Sequence, residues 1–122
     1  MRTEEQEQIA LFNWAKYVSP RPELEMLFAI PNGGYRAMQE GKRLKAAGVL
    51  KGVPDVFLAF PIGIYHGLWI EMKRNDGKAR LSTEQMDMLV KLQSQGYAVA
   101  VCYGAEEAQE IIELYLDGGE IS

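Results

Sequence analysis

The chain has 122 residues, of which 48% are hydrophobic, 25% charged and 10% aromatic, with a net charge of −4. This is the composition of a single globular domain with one core, spanning residues 1–122, and it argues against a disordered chain or one that simply coats nucleic acid. No apolar run approaches the roughly 18 residues of a membrane span, the polar start Met1–Gln8 is no secretory signal, and a lone Cys102 and lone His66 exclude an internal disulfide and most zinc sites.

Thr3 to Tyr17 is expected to be a helix. Thr3 can cap it, the early glutamates suit its positive end, and Ile9, Phe12, Ala15 and Lys16 follow at helical spacing. Pro20 and Pro22 stop it. Met26 to Ile30 is a short apolar strand, and Pro31-Asn32-Gly33-Gly34 is a loop. Ala37 to Ala47 has a helical pattern, closed by Gly48. After the loop Gly52-Val53-Pro54, the run Asp55 to Phe60 is a buried strand, and Leu68 to Lys73 is another beyond a turn at Ile62 to Gly67. Ser82 caps a helix running to about Gln95, with Met86, Leu89, Val90 and Leu92 as its apolar stripe. Tyr97 to Tyr103 is the last strand and Ala105 to Leu116 the last helix, with Ala108, Ile111, Ile112 and Tyr115 on one face. The order predicts a three-layer α/β domain with a mixed central sheet flanked by helices.

Charge is unevenly spread along this order. Arg36 to Arg80 holds nine Lys/Arg against four Asp/Glu, whereas Ala105 to Ser122 holds six acids and no base. An acidic protein can therefore still offer one basic face to phosphates, densest at Arg36, Lys42, Arg43, Lys45 and Lys51. A solvated helix face would show the same charges, so the patch gains meaning only beside the acidic residues downstream of it in the chain. Asn32 and Arg36 occupy the loop ahead of the basic helix and are candidate phosphate contacts.

Pro54-Asp55 is followed, sixteen positions after Asp55, by Glu71-Met72-Lys73. Glu71 and Lys73 are two apart and share one face of their strand, while Leu68, Ile70 and Met72 take the other. If the strands of Asp55 and Glu71 pair as an antiparallel hairpin, both carboxylates reach one point. Two carboxylates beside a lysine suit a hard cation such as Mg²⁺, with the Met72 carbonyl as a further ligand. Such a cation can activate water and neutralise charge at phosphorus, with Lys73 orienting the water or the phosphate. In isolation, Pro-Asp is as often a strand start and Glu-x-Lys an exposed ion pair.

These residues resemble the PD-(D/E)XK nuclease superfamily, and the wider pattern looks like its virus-type replication-repair nuclease branch, the VRR-Nuc domain. The matching stretches are Pro31-Asn32-Gly33-Gly34 with Arg36, Arg43 to Val49, Lys51 to Asp55, His66 to Lys73, Leu81 to Gln85, and Gly96-Tyr97. The resemblance implies an α-β-β-β-α-β restriction-endonuclease-like core, dependence on Mg²⁺ or Mn²⁺, and hydrolysis of phosphodiester bonds in DNA. By position it makes Asp55 and Glu71 metal ligands, Lys73 the catalytic lysine, and Gln85 a residue facing the active site. It also calls for a glutamate from the first helix. Glu4, Glu5 and Glu7 compete for that place, and Glu4 is chosen because Gln8, Leu11 and Ala15 continue its helical face. Thr83 stands where this branch commonly has proline, and either residue suits a first helical turn.

Stand-alone members of the branch resemble Holliday-junction resolvases that act as homodimers. The resemblance thus implies branched DNA as substrate, a homodimer, a possible helicase or replication partner, and a cytoplasmic, DNA-associated setting in a bacterial or phage-infected cell. The alternative is a nuclease-like module that binds DNA or a helicase without cutting. No Gly-x-x-x-x-Gly-Lys-Ser/Thr loop is present, which disfavours a nucleotide-driven motor. His66 is expected at the surface, Cys102 in the core, and Trp14, Trp69 and Tyr97 in packing rather than base stacking.

Overall fold

The computed structural model describes residues 1–31 and 38–121. Helix α1 (Glu4–Tyr17) opens on a complete capping box: the Thr3 hydroxyl accepts from the Gln6 N–H, and the Gln6 side chain accepts from the Thr3 N–H. A 3₁₀ turn, Pro22–Met26, leads into strand β1 (Leu27–Ala29). Helix α2 (Met38–Ala46), β2 (Val56–Leu58), β3 (Leu68–Lys73), α3 (Thr83–Ser94), β4 (Ala98–Tyr103) and α4 (Ala105–Leu116) complete the order.

The strands form one sheet in the order β1-β2-β3-β4. The first two pairings are antiparallel and β3 pairs β4 in parallel. This is the mixed sheet flanked by helices that the element order predicts. β1 and β2 are shorter than the apolar runs around them, but the ladder continues past their ends. Ile30 N–H donates to the Asp55 carbonyl at 2.8 Å and Ala59 N–H donates to the Met26 carbonyl at 3.0 Å.

Alternation along β3 sorts its residues onto two faces. Leu68, Ile70 and Met72 are fully buried and join Val56, Leu58, Ala98 and Cys102 in the core. Leu11 of α1 and Ala108, Ile112 and Tyr115 of α4 close over that face. Burying each such Leu or Ile contributes about 1.5–3 kcal/mol. Cys102 is among them as a small hydrophobe, and burial pushes its thiol up to about 12. The other face carries Phe57, Trp69, Glu71 and Lys73 and meets α3. There Phe57 and Trp69 stack with centroids 4.2 Å apart, and Tyr97 meets both edge-on.

Two helical stripes differ from their sequence patterns. On α1, Ile9 is 53% exposed, and the buried positions are Glu7 and Leu11, one turn apart. On α3, Met86 and Val90 are exposed, and the inward face runs Gln85, Met88, Leu89 and Leu92. The reason is common to both. Each helix lies over polar as well as apolar ground, so a polar residue takes an inward position and an apolar one is left outside.

Candidate active site

Asp55 and Glu71 meet because of strand register. The last β2–β3 pair is Val56 with Ile70. One step further along the same antiparallel ladder brings Asp55 opposite Glu71. The Asp55 carboxylate is held there by its own hydrogen bond, with Met72 N–H donating to Oδ2 at 2.9 Å. Glu71 is 2% exposed and Lys73 is 5% exposed, both on the α3 side of the sheet.

Like charges directly opposite on an antiparallel pair are unfavourable. Their effect shows on Glu71, whose carboxyl is pushed up to about 8. Burial is the largest cause. The charge of Asp55 and a hydrogen bond between the two carboxyls add to it, Lys73 opposes it, and Glu4 adds a further negative field. Lys73 Nζ lies 3.7 Å from Glu71 Oε2, an ion pair rather than a tight hydrogen bond.

Gln85 completes the cluster from α3. Its Nε2 donates to Glu71 Oε2 at 3.0 Å, and its Oε1 accepts from Lys73 Nζ at 3.3 Å. The same Oε1 accepts from Ser82 N–H at 2.9 Å, while Ser82 Oγ accepts from Gln85 N–H at 3.1 Å. The box that starts α3 is therefore built into the polar cluster. An oxygen facing Ser82 N–H leaves the amide nitrogen for Glu71, so the box also sets which way the amide points. Ser82 is the expected cap. Its part in orienting Gln85 is not legible in the sequence, because Ser-x-x-Gln marks a helix start wherever that helix lies.

The three glutamates of α1 separate by environment. Glu7 is 4% exposed and is engaged elsewhere: its Oε1 accepts from Ala105 N–H at 3.0 Å and from Arg2 Nη1 at 3.2 Å. It serves the N-terminus of α4, whose own cap, Gly104, has no side chain. Glu4 is exposed, and its charge reaches Glu71. Glu7's inward position had a signal, since Leu11 lies one turn further along the same helical face.

The basic residues lie outside this cluster. Lys42, Arg43 and Lys45 are exposed on α2, which makes no substantial packing contact with the other described elements. Arg43 is 4.0 Å from Glu40. Lys51 is exposed with Glu84 at 3.8 Å, beside the first turn of α3. Asn32 and Arg36, with Gly33 and Gly34, lie outside the described residues. His66 is exposed and edge-on to Tyr97.

The donors fit a hard divalent cation. Two carboxylates face each other, one of them holding its proton far above the ordinary range, a situation a cation relieves. Among the described residues no group of three His, Cys, Asp or Glu stands ready to hold a metal. Asp55 and Glu71 would thus be the protein carboxylates, supplemented by the Met72 carbonyl, Glu4 or water. Magnesium characteristically binds through one or two carboxylates and keeps several waters.

Comparisons with known proteins agree with this architecture. Residues 3–106 match the family model described as the VRR-NUC domain. A solved structure described as a VRR_NUC domain protein is similar over 100% of this chain and 94% of its own, with 27% identity and a TM-score of 0.83. A search of curated proteins finds no match.

Proposed function

The chain belongs to the VRR-NUC domain family, a family of nucleases, and from that premise we propose that it is a Mg²⁺- or Mn²⁺-dependent endonuclease that hydrolyses phosphodiester bonds in branched or structured DNA such as Holliday junctions. The observation that carries this is the convergence of Asp55, Glu71, Lys73 and Gln85 at one end of the β2–β3 hairpin. Asp55 and Glu71 would hold the cation, with the Met72 carbonyl and Glu4 as further donors. When bound there, it would supply positive charge against the scissile phosphate and acidify water.

The chain's own residues have distinct tasks. The Lys73 ammonium, held by Glu71 and Gln85, faces the phosphate or the attacking water. Gln85 fixes the Glu71 carboxylate by donating to Oε2. The water oxygen bonds to phosphorus as a P–O bond of the backbone breaks, leaving a hydroxyl on one product and a phosphate monoester on the other. Lys42, Arg43, Lys45 and Lys51, with Asn32 and Arg36, supply phosphate contacts along the DNA. The complete polar cluster favours cleavage over a module that only binds. As a homodimer the protein would present two such sites across a symmetric junction. A helicase or replication partner would be recruited to the same DNA.

Cleavage of a four-way junction is compared with duplex, flap and single-stranded DNA, in Mg²⁺, Mn²⁺ or chelator, with Lys73→Ala as control. Metal-dependent cutting that disappears in the variant, strongest on the junction, is the expected result. Folded protein that binds DNA and cuts nothing with either metal would sink the proposal in favour of the binding module.

A further inference from the structure

Two glycines flank the stretch ahead of Asp55, and they differ in one respect. Gly48 and Gly52 both have left-handed backbones, φ +99° and +92°. Gly48 closes α2: its N–H donates to the Lys45 carbonyl and Val49 N–H donates to the Leu44 carbonyl, both at 3.0 Å. A Cβ on Gly48 would meet nothing within 4 Å. A Cβ on Gly52 would stand 2.5 Å from the Glu84 carbonyl oxygen, 2.6 Å from its carbon and 3.0 Å from the Gln85 nitrogen.

Those three are backbone atoms of a capped helical turn, so they cannot swing aside as a flexible side chain would. The peptide they belong to leads directly into Gln85, whose amide joins Glu71 and Lys73. The capping box ties that amide to Ser82 N–H, so the side chain moves with the turn. On the other side, only Val53 and Pro54 separate Gly52 from Asp55. Resting on the nuclease reading above, we propose that Gly52 is a positioning residue: by having no side chain, it seats the Asp55 loop on the first turn of α3 and so sets where the Gln85 amide meets Glu71 and Lys73. The exposed Lys51–Glu84 pair at 3.8 Å lies at the same junction and contributes little to its rigidity. A displacement of about 1 Å in a catalytic constellation can cost on the order of 10²-fold in rate.

The test compares Gly52→Ala with Gly48→Ala, which carries the same backbone strain without the collision. Gly52→Asn is a second variant, because asparagine tolerates the left-handed region and adds chiefly the collision. Thermal melts, kcat and KM on cleaved DNA, and the ¹⁵N side-chain amide resonance of Gln85 in metal-free protein are measured. Both Gly52 variants should lower kcat by about 10- to 100-fold with KM held within about threefold. They should also shift the Gln85 resonance, and Gly48→Ala should do neither. In a Gln85→Ala background, Gly52→Asn should add less than about threefold, since the two changes act through one group. Equal losses in the Gly48 and Gly52 variants with an unmoved Gln85 resonance would overturn the proposal, as would fully multiplicative losses in the double variant. If wild-type protein cuts no DNA with either metal, the nuclease reading fails and the Gln85 resonance alone decides the role of Gly52.

Discussion

Two glutamates lie almost fully buried in this molecule, at opposite purposes. Glu7 sits at the start of α4, where Ala105 N–H and the Arg2 guanidinium both meet its Oε1. Glu71 sits at the end of the β2–β3 hairpin opposite a second carboxylate, and burial, with that carboxylate's charge added to it, weakens its acidity. Burial is the same to within a few per cent. The partners differ. A buried acid matched by a backbone donor, a cation and a helix N-terminus serves the fold. A buried acid facing another acid keeps its proton to a high pH even with the Gln85 amide and Lys73 beside it, and a bound cation would relieve that.

The sharpest way to test this contrast is to remove each charge. On the proposed reading, Glu71→Gln should lower cleavage by about 10³-fold or more, because one of the two carboxylates that would hold the cation is lost. The same change should leave metal-free protein at least as stable as wild type, since it relieves the repulsion with Asp55. A steady-state cleavage assay beside a thermal melt in chelator checks both halves. A Glu71→Gln protein that melts well below wild type would break the comparison.

Glu7→Ala should behave in the opposite sense. It leaves the buried Ala105 N–H without its acceptor, which costs about 1–3 kcal/mol of stability. Cleavage per folded molecule should remain unchanged. Denaturant unfolding together with activity below the transition measures the two effects separately.

Stability against pH sharpens the same distinction. Glu71 is raised from 4.5 to about 8, so between those values the folded state binds a proton that the unfolded state has released. Metal-free stability from this group is therefore full below about pH 4.5 and falls as pH rises towards about 8. Added Mg²⁺ competes with that proton, so its stabilising effect should grow across the same window. Melting temperatures in chelator and in Mg²⁺ at several pH values test this, and Glu71→Gln should flatten the Mg²⁺ response.

The smallest expected effects lie on α2. Replacing Lys42, Arg43 or Lys45 singly by Ala should weaken DNA binding a few-fold and uniformly across sequences. Each lost phosphate contact should reduce the salt slope of log K by about 0.9 on duplex DNA. Fluorescence anisotropy at several salt concentrations reads both. No change in slope for the triple variant would remove α2 from the DNA surface.

Much of this was legible in the amino-acid order. Alternation of Leu68, Ile70 and Met72 with Glu71 and Lys73 assigned the two faces of β3, because successive strand side chains point opposite ways. Caps at Thr3 and Ser82 placed the starts of α1 and α3, and the apolar spacing of α4 marked its buried face. The chemistry of two acids and a lysine came from residue type. Other features depend on contacts between distant segments. Ile9, Met86 and Val90 look like core residues in a periodic pattern, and they face outward because Glu7 and Gln85 occupy inward positions. Leu11, one turn on, marks Glu7 as an inward position, but nothing local names its partner, Ala105, 98 residues away. Nor does any local pattern show that the Ser82 box orients Gln85 toward Glu71 and Lys73, or that Gly52 rests on the peptide before it. Periodicity and residue chemistry are local properties and can be read along the chain. Which buried charge is matched and which is left facing its like is a property of the packed neighbourhood, and only the tertiary structure decides it.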